Sequence, residues 1–502
     1  MGMLEQLKRC RARGVPLVSV STIDDHATAD TIVDALAGDD PILVWSLAAG
    51  WTPRNEAAGP ALARMMDGAD PYDPPAAAAL RAAGKAPPGS ALVALGAHHW
   101  QGDRVAEAWI RDLRNPFEAT GRTLILTGPA FAAWGPDVGP HVEPLDDDPP
   151  DDAARETAIR AVLHDAETPE PDDTTIRLAV AGTRGLPAFG VRQATALAVD
   201  RSGLDLQRLR ARWRKAINST PGLSVDDTVR RIEELGGLSG IKGLAARLAA
   251  GRNPPRVVVL MDEGGKMLAG GGAATGGAGD MSGVSQSIEA ALLTEMSDTR
   301  ADGMIAFGVP GAGKSASAQA MAAALGVPVV RLDLGAIKGG IVGLSEGNIR
   351  RALGMIRAMA GRAFWILTAN ELVTIKAEIR RRFRAGIWFY DLPSSEERES
   401  IRRFYCDRYK VANDPAQWPD LEGWTGAEIE TCAERAADWQ CSPRESGAYV
   451  VPVAQMAADT VAAMRTAAAG RFLSASYPGV YRGPQQPAQT AAPAGRRFGK
   501  EA

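Results

Sequence analysis

Residues 308–315 read Gly308-Val309-Pro310-Gly311-Ala312-Gly313-Lys314-Ser315; about fifty positions earlier, residues 257–263 read Val257-Val258-Val259-Leu260-Met261-Asp262-Glu263. A short apolar run, Met304-Ile305-Ala306-Phe307, precedes the first stretch and an Ala-rich run over 315–325 follows it. Strand, glycine-rich turn and helix therefore succeed one another, which is the context a phosphate loop requires. Glycines at 308, 311 and 313 let the backbone come close to anionic oxygens, so that its N–H groups wrap a phosphate. Lys314 adds a charge for the outer phosphates, Ser315 a hydroxyl for Mg²⁺, and the helix start a partial positive charge. Pro310, Ala312 and Ala316 complete the cradle. A chance glycine-rich turn would not be expected to carry the lysine–serine pair and both flanking elements together. The expected ligands are ATP and Mg²⁺.

The remaining composition bounds the answer. A chain of 502 residues exceeds what one core serves, so several domains are expected. Hydrophobic residues make up 45% and charged residues 23%, as in soluble globular chains, and a net charge of −4 gives no global attraction to nucleic acid. Cys10, Cys406, Cys432 and Cys441 are too scattered for a disulfide framework or a paired zinc site. The start lacks a basic-then-apolar run, and no apolar stretch reaches the roughly 18 residues that span a bilayer. A cytoplasmic location without a membrane partner is the expectation.

Strand-like runs at 16–21, 42–46, 91–95 and 123–127 alternate with helix-like runs, a pattern for a parallel α/β sheet over residues 1–152. A mostly helical segment follows over 153–235, with the basic helix 208–215. A second α/β core is expected over 236–393, a helical lid over 394–470, and a disordered tail over 471–502.

The second core resembles the AAA+ ATPases, specifically their AAA clade. Thr368-Ala369-Asn370 ends a strand similar to the family's sensor-1 strand, and Arg380-Arg381-Arg382-Phe383 is similar to its arginine-finger segment. Ile387-Trp388-Phe389-Tyr390-Asp391-Leu392-Pro393 looks like the final strand. Trp424-Thr425-Gly426-Ala427-Glu428-Ile429 resembles the lid helix at the nucleotide, and Gly236-Gly237-Leu238 with Lys242 the segment near the adenine. The likeness covers about residues 232–470. The whole chain further resembles two-module members with a degenerate first AAA-like module, a type known in cyanobacteria, plastids and phages.

Chemistry gives these residues roles. Asp262 at a strand end can hold Mg²⁺, partly through water, and Glu263 can take the proton of the attacking water. Asn370 can orient that water. By resemblance Gly237, Gly426 and Ala427 touch the nucleotide, and Arg381 or Arg382 reaches the site of a neighbouring subunit in a ring, most simply a hexamer. Both arginines stay candidates, and a solvated basic run is the plainer reading of either. The family's sheet has spatial order 5-1-4-3-2, with the acidic strand third in the chain. Here that strand and its helix come first, so the fold class is a rewired P-loop AAA+ module with a C-terminal lid. Two new connections accomplish this, and right-handed crossovers survive. The alternative is that Asp262-Glu263 is a chance match.

Two departures bear on function. Ile341 and Val342 stand where unfoldases carry a pore aromatic, and 264–283 expands a central loop with Gly and Ala. Processive threading is disfavoured relative to a remodelling stroke. In the first module the strand ending Ser19-Val20-Ser21 leads to Thr22-Ile23-Asp24-Asp25 without glycine or lysine, so no ATP is expected there. His98 and His99, at the end of the run 91–95, are expected to point to opposite sides and not to bind metal. Three functions compete: a ring-forming ATPase remodelling a protein partner, a nucleic-acid-associated switch or motor, and a weakly hydrolysing interaction protein. Charge disfavours the second.

Overall fold

The computed structural model describes residues 3–484 except 23, 68–74, 129–133, 135–136, 148–149, 170, 229, 263–281, 300–301, 339–343, 361, 372–374 and 376. By compactness the chain divides into two units. One is residues 1–225 with 270–301 and 330–363; the other is residues 226–269 with 302–329 and 364–502.

The first unit holds a six-stranded sheet: β1 (Leu17–Ser21), β2 (Ile42–Ser46), β3 (Gly50–Pro53), β4 (Ala91–Ala94), β5 (Thr123–Gly128) and β6 (Glu143–Asp146). Its spatial order is β3-β2-β4-β5-β1-β6, parallel except for the antiparallel β2/β3 hairpin at one edge. β4 and β5 are buried along their whole length, as runs covered on both faces must be. Trp45, Trp51, Trp100 and Phe117 fill one face, and Leu7, Val18, Val20 and Ile32 the other. Helices follow over Asp152–Asp165, Asp173–Gly182, Ala188–Ala196 and Leu206–Asn218. Between the last two lies the hairpin β7 (Val199–Asp200) and β8 (Gly203–Leu204). The basic helix turns Leu209, Trp213 and Ile217 inward, an i, i+4, i+8 stripe, and leaves Arg210, Arg212 and Lys215 exposed.

The seven-stranded sheet contains β9 (Leu223–Asp226), β10 (Val257–Met261), β11 (Asp302–Gly308), β12 (Val329–Leu332), β13 (Ala363–Ala369), β14 (Ile387–Tyr390) and β15 (Leu473–Ser474). Its order is β15-β14-β11-β13-β10-β12-β9. With β11 counted first, β12 second, β10 third, β13 fourth and β14 fifth, the central five read 5-1-4-3-2. The expected fold class, a P-loop α/β sheet of the AAA+ kind, is what the chain forms. β11 pairs in parallel with β13 (Phe307↔Ala369) and with β14 (Gly308↔Tyr390), so three strand ends meet at the phosphate loop.

The lid is built on helices Ser395–Tyr409, Gly426–Asp438 and Ala458–Ala468. Capping boxes start the first two: Ser394 with Glu397, and Thr425 with Glu428. Ile401, Tyr405, Trp418, Trp424 and Ile429 form their common core.

Two expectations need correction. Residues 471–484 are not a disordered tail. Leu473 and Ser474 extend the sheet beyond β14, and Tyr481 is buried against Phe389 with ring centroids 4.6 Å apart. Buried Tyr481, with half-buried Phe472 and Tyr477 in ring contact with Phe307 and Tyr481 respectively, anchors a segment whose Gly/Pro-rich composition hides its order. His98 and His99 do not diverge, because they stand on a 3₁₀ turn, Ala97–Trp100, and not on a strand. Their rings lie 3.9 Å apart.

Candidate functional site

The phosphate loop follows β11 and ends in the left-handed N-cap Gly313 of the helix Lys314–Leu325. Gly311 has φ +77°, and a Cβ there would lie 2.8 Å from Thr425 Oγ1 and 3.2 Å from the Ala427 methyl. Only glycine admits the lid so close to the loop. The Ala427 N–H donates to the Gly311 carbonyl at 3.3 Å, which brings the start of the lid helix to the phosphate loop. The Lys314 ammonium is buried beneath the loop and donates to the carbonyls of Gly308 (2.8 Å) and Val309 (2.9 Å). Ser317 Oγ and the buried Tyr390 hydroxyl lie 2.7 Å apart and tie the helix to β14; burial pushes that phenol well above its ordinary range.

Beside the loop stands the carboxylate that follows β10. Ser315 Oγ donates to Asp262 Oδ1 at 2.9 Å, and Thr368 Oγ1, from β13, donates to the same oxygen at 2.7 Å. Fifty-three positions of sequence separate serine and aspartate, yet their side chains touch. A hydroxyl and a carboxylate at this spacing are oxygen ligands of the type Mg²⁺ takes. Glu263 lies outside the described residues, as do Ile341, Val342 and the loop 264–281. Asn370 follows β13 directly and is half-buried. Arg380, Arg381 and Arg382 are exposed at the end of the helix Ala377–Arg382, whose Ile379 is buried beneath them.

A cavity of about 240 Å³ runs from the loop residues Gly311–Ala316 to Leu235, Gly236, Leu238, Ile401, Tyr405 and Ser476. Gly237 lies between the lining residues Gly236 and Leu238 and does not itself line the cavity; at φ +74° it has no room for a Cβ, which would meet the Glu397 carboxylate. That carboxylate accepts from the Leu238 N–H (3.3 Å) with one oxygen and from the Ser394 N–H (2.8 Å) with the other. Leu238 is thereby held left-handed, φ 54°. Burial pulls the Lys242 ammonium down, against the upward pull of Glu233 and Glu397. In the lining of the cavity Tyr405 donates to Glu430 Oε2 (2.9 Å), and Arg230 donates to the Tyr405 hydroxyl (3.2 Å). Sequence reading missed Thr368, Glu397, Ser476 and this trio. Thr368 lay inside a quoted motif; the others have no spacing signature, because they reach the site from several separate elements, Glu397 and Tyr405 sharing one helix.

The matching edge of the first sheet is built differently. Thr22 and Thr28 hydroxyls both donate to Asp147 Oδ2, Asp24 caps the helix Asp25–Ala35, and Asp25 Oδ2 accepts from the Gly96 N–H at 3.1 Å. Burial raises the Asp25 carboxyl, and burial, aided by His99 and Arg351, lowers His98 to about 4.

Residues 304–366 match the family described as ATPase family associated with various cellular activities (AAA). The chain carries an AAA domain. It is similar to the uncharacterized AAA domain-containing protein ycf46 of Pyropia yezoensis, 26% identical over 178 residues, covering 26% of this chain and 35% of that protein. The protein of the same name from Trieres chinensis is 26% identical over 177 residues, 25% of this chain and 35% of the other. The matched part is thus about a third of the length of these relatives. Among the described residues, no helix outside or inside the AAA domain is long and apolar enough to cross a membrane.

Proposed function

We propose that the AAA domain binds and hydrolyses ATP, and that a ring of such chains uses the cycle to remodel a protein partner. The observation that carries the hydrolytic part is the 2.9 Å contact between Ser315 and Asp262. It brings together a loop hydroxyl and a strand-end carboxylate that lie 53 positions apart in the chain, as a nucleotide–metal site would need. Mg²⁺, when bound, supplies positive charge against the phosphoryl oxygens, and Ser315 and Asp262 are the residues that would hold it.

The other roles belong to side chains of this chain. Lys314 leaves the carbonyls of its own loop for phosphate oxygens, and the loop N–H groups bind the remainder. Thr368 fixes the Asp262 rotamer. Asn370, at the end of β13, orients the attacking water, and Glu263 takes its proton. Gly237, Gly426 and Ala427 border the nucleoside. The exposed Arg381 and Arg382 supply charge to the site of an adjacent copy.

The remodelling part rests on the exposed arginines and the helical lid that approaches the phosphate loop at Gly311. Cytoplasm is the proposed location. ATP turnover by wild type, against Glu263→Gln and Lys314→Ala, tests the first claim. Proteins retained by an ATP-loaded Glu263→Gln ring, absent from Lys314→Ala, test the second. Wild type that turns over no ATP at any protein concentration overturns the reading.

A further inference from the structure

Residues 470–484 do more than extend a sheet edge. The Ala475 N–H donates to the Phe389 carbonyl at 3.0 Å, continuing the pairing of Leu473 and Ser474 with β14. The Ala475 carbonyl in turn accepts from Gly240 N–H (3.0 Å) and Ile241 N–H (3.3 Å). Those donors belong to the first turn of the helix Ser239–Ala249, which has no partner for them within itself and begins straight after Leu238. Ser239 Oγ donates to the Ser476 carbonyl at 2.7 Å. Gly240 is pressed so close that a Cβ would lie 2.3 Å from the Ser474 carbonyl oxygen and 2.8 Å from that of Tyr477.

The segment is locked at its far end. Gly470 N–H donates to Tyr481 O (2.9 Å), and Tyr481 N–H donates to Phe472 O (2.8 Å), closing the loop on itself. The Tyr481 hydroxyl, on a side chain 2% exposed, donates to Asp391 Oδ2 at 2.6 Å, and Arg465 Nε donates to Asp391 Oδ1 at 2.8 Å. Burial and Asp391 together push the Tyr481 hydroxyl far above its ordinary range, so it remains a donor. Asp391 and Ser476 both line the cavity that starts at the phosphate loop.

We propose that Tyr481 is a positioning residue of the nucleotide pocket. It latches residues 470–484 onto Asp391, and the latched segment holds the Leu238 wall against which the nucleoside part of ATP packs. None of these hydrogen bonds is made by a residue of the phosphate loop, which meets the strand before Asp391 through the Val309 N–H donated to the Tyr390 carbonyl (3.0 Å). The segment therefore sets affinity for the base and ribose and leaves affinity for the triphosphate alone. This inference rests on the ATP reading above.

Two ligands distinguish it from general destabilisation: ATP and inorganic tripolyphosphate, each titrated into the full chain in Mg²⁺ buffer by calorimetry. Tyr481→Phe keeps the ring against Phe389 and removes only the hydroxyl. Gly240→Ala wedges the segment away without deleting any contact atom. The ATP dissociation constant should rise roughly 3- to 10-fold for Tyr481→Phe, the effect of one buried hydrogen bond, and at least about 10-fold for Gly240→Ala. Tripolyphosphate should bind both variants within about twofold of wild type. An ATP affinity unchanged in Tyr481→Phe, or equal losses for both ligands, overturns the latch. Wild type that binds neither ligand overturns the nucleotide reading instead, so the two failures are told apart.

Discussion

The two sheets of this chain share one spatial order and carry opposite chemistry in the turn that follows the strand in the first place. In the first sheet the parallel strands β6-β1-β5-β4-β2 read 5-1-4-3-2 in plain chain order. In the second, β14-β11-β13-β10-β12 takes the same five places, although the strand in the third place comes first in the chain. Connectivity therefore does not decide which sheet has a nucleotide site. What decides is the turn after the strand in the first place. After β11 it is a glycine loop over a buried lysine. After β1 it is Thr22, Asp24 and Asp25, with Asp147 bonded across it. A triphosphate brought to the second edge meets N–H groups and an ammonium, whereas at the first it would meet carboxylates and no anion nest.

The largest expected effect breaks the comparison at the arginines, which have no counterpart at the first edge. Arg381→Ala with Arg382→Ala should lower ATP turnover by about 10³- to 10⁵-fold, the range for a cation supplied in trans to phosphoryl transfer. ATP affinity should remain. Mixing this variant with Lys314→Ala should recover part of the turnover, since arginine-bearing subunits then face intact loops. Turnover by a monomer, independent of concentration and of both arginines, would sink the ring.

Next comes the loop itself. Lys314→Ala should weaken ATP binding by roughly 100-fold or more, because a charged donor is removed from a buried anion site. The melting of the first sheet should not respond. If ATP binds the variant as tightly as wild type by calorimetry, the site is elsewhere, and the first edge becomes the place to look.

A smaller change tests the rewired strand. Thr368→Val removes a described donor to Asp262 Oδ1 (2.7 Å) while keeping the shape of the side chain. Turnover should fall roughly 3- to 10-fold, with ATP affinity within about twofold, if the hydroxyl only fixes the aspartate. Unchanged turnover would mean that Asp262 needs no such support.

How much of this was legible beforehand follows from what each feature depends on. The phosphate loop and its flanking elements were readable because local backbone geometry dictates their residues: glycines at Gly311 and Gly313, a lysine, a serine. The placement of Val257–Met261 in the third position was readable too, since an apolar run ending in Asp262 fits one sheet position next to Ser315. Residues 471–484 were misread. Their order comes from Tyr481 finding Asp391, a pairing across ninety positions that composition cannot express. His98 and His99 were misread for a related reason, because the turn that brings their rings together starts at the left-handed Gly96, φ 67°, which ends the strand earlier than the apolar run suggests. Glu397 was hidden in a lid helix, where its capping-box role explains one oxygen and says nothing of the other.

The smallest expected effect concerns protons at the first edge. His98 is half-buried among His99, Arg351 and the backbone of Gly128, and its pKa falls to about 4 from an ordinary 6.5. The fold thus favours neutral imidazole. Above pH 6.5 the ring is neutral in both folded and unfolded chains, and its contribution to stability is fully present. As pH falls below 6.5 the unfolded chain takes up a proton that the folded chain refuses, so stability declines until about pH 4. Asp25 works in the opposite sense, since a raised carboxyl takes its proton first in the fold. Asp25 is present in wild type and variant alike, so the difference between their profiles isolates the histidine. His98→Gln removes the titration and keeps a polar side chain. The midpoint of thermal unfolding should therefore fall less steeply for the variant than for wild type between pH 6.5 and 5. ATP affinity should show no difference between the two proteins over the same interval, because the second edge contains no histidine. Parallel unfolding profiles would show that His98 is solvated enough to titrate normally. A variant-specific change in ATP affinity would show that the two edges communicate, and the comparison would then need a coupling between them.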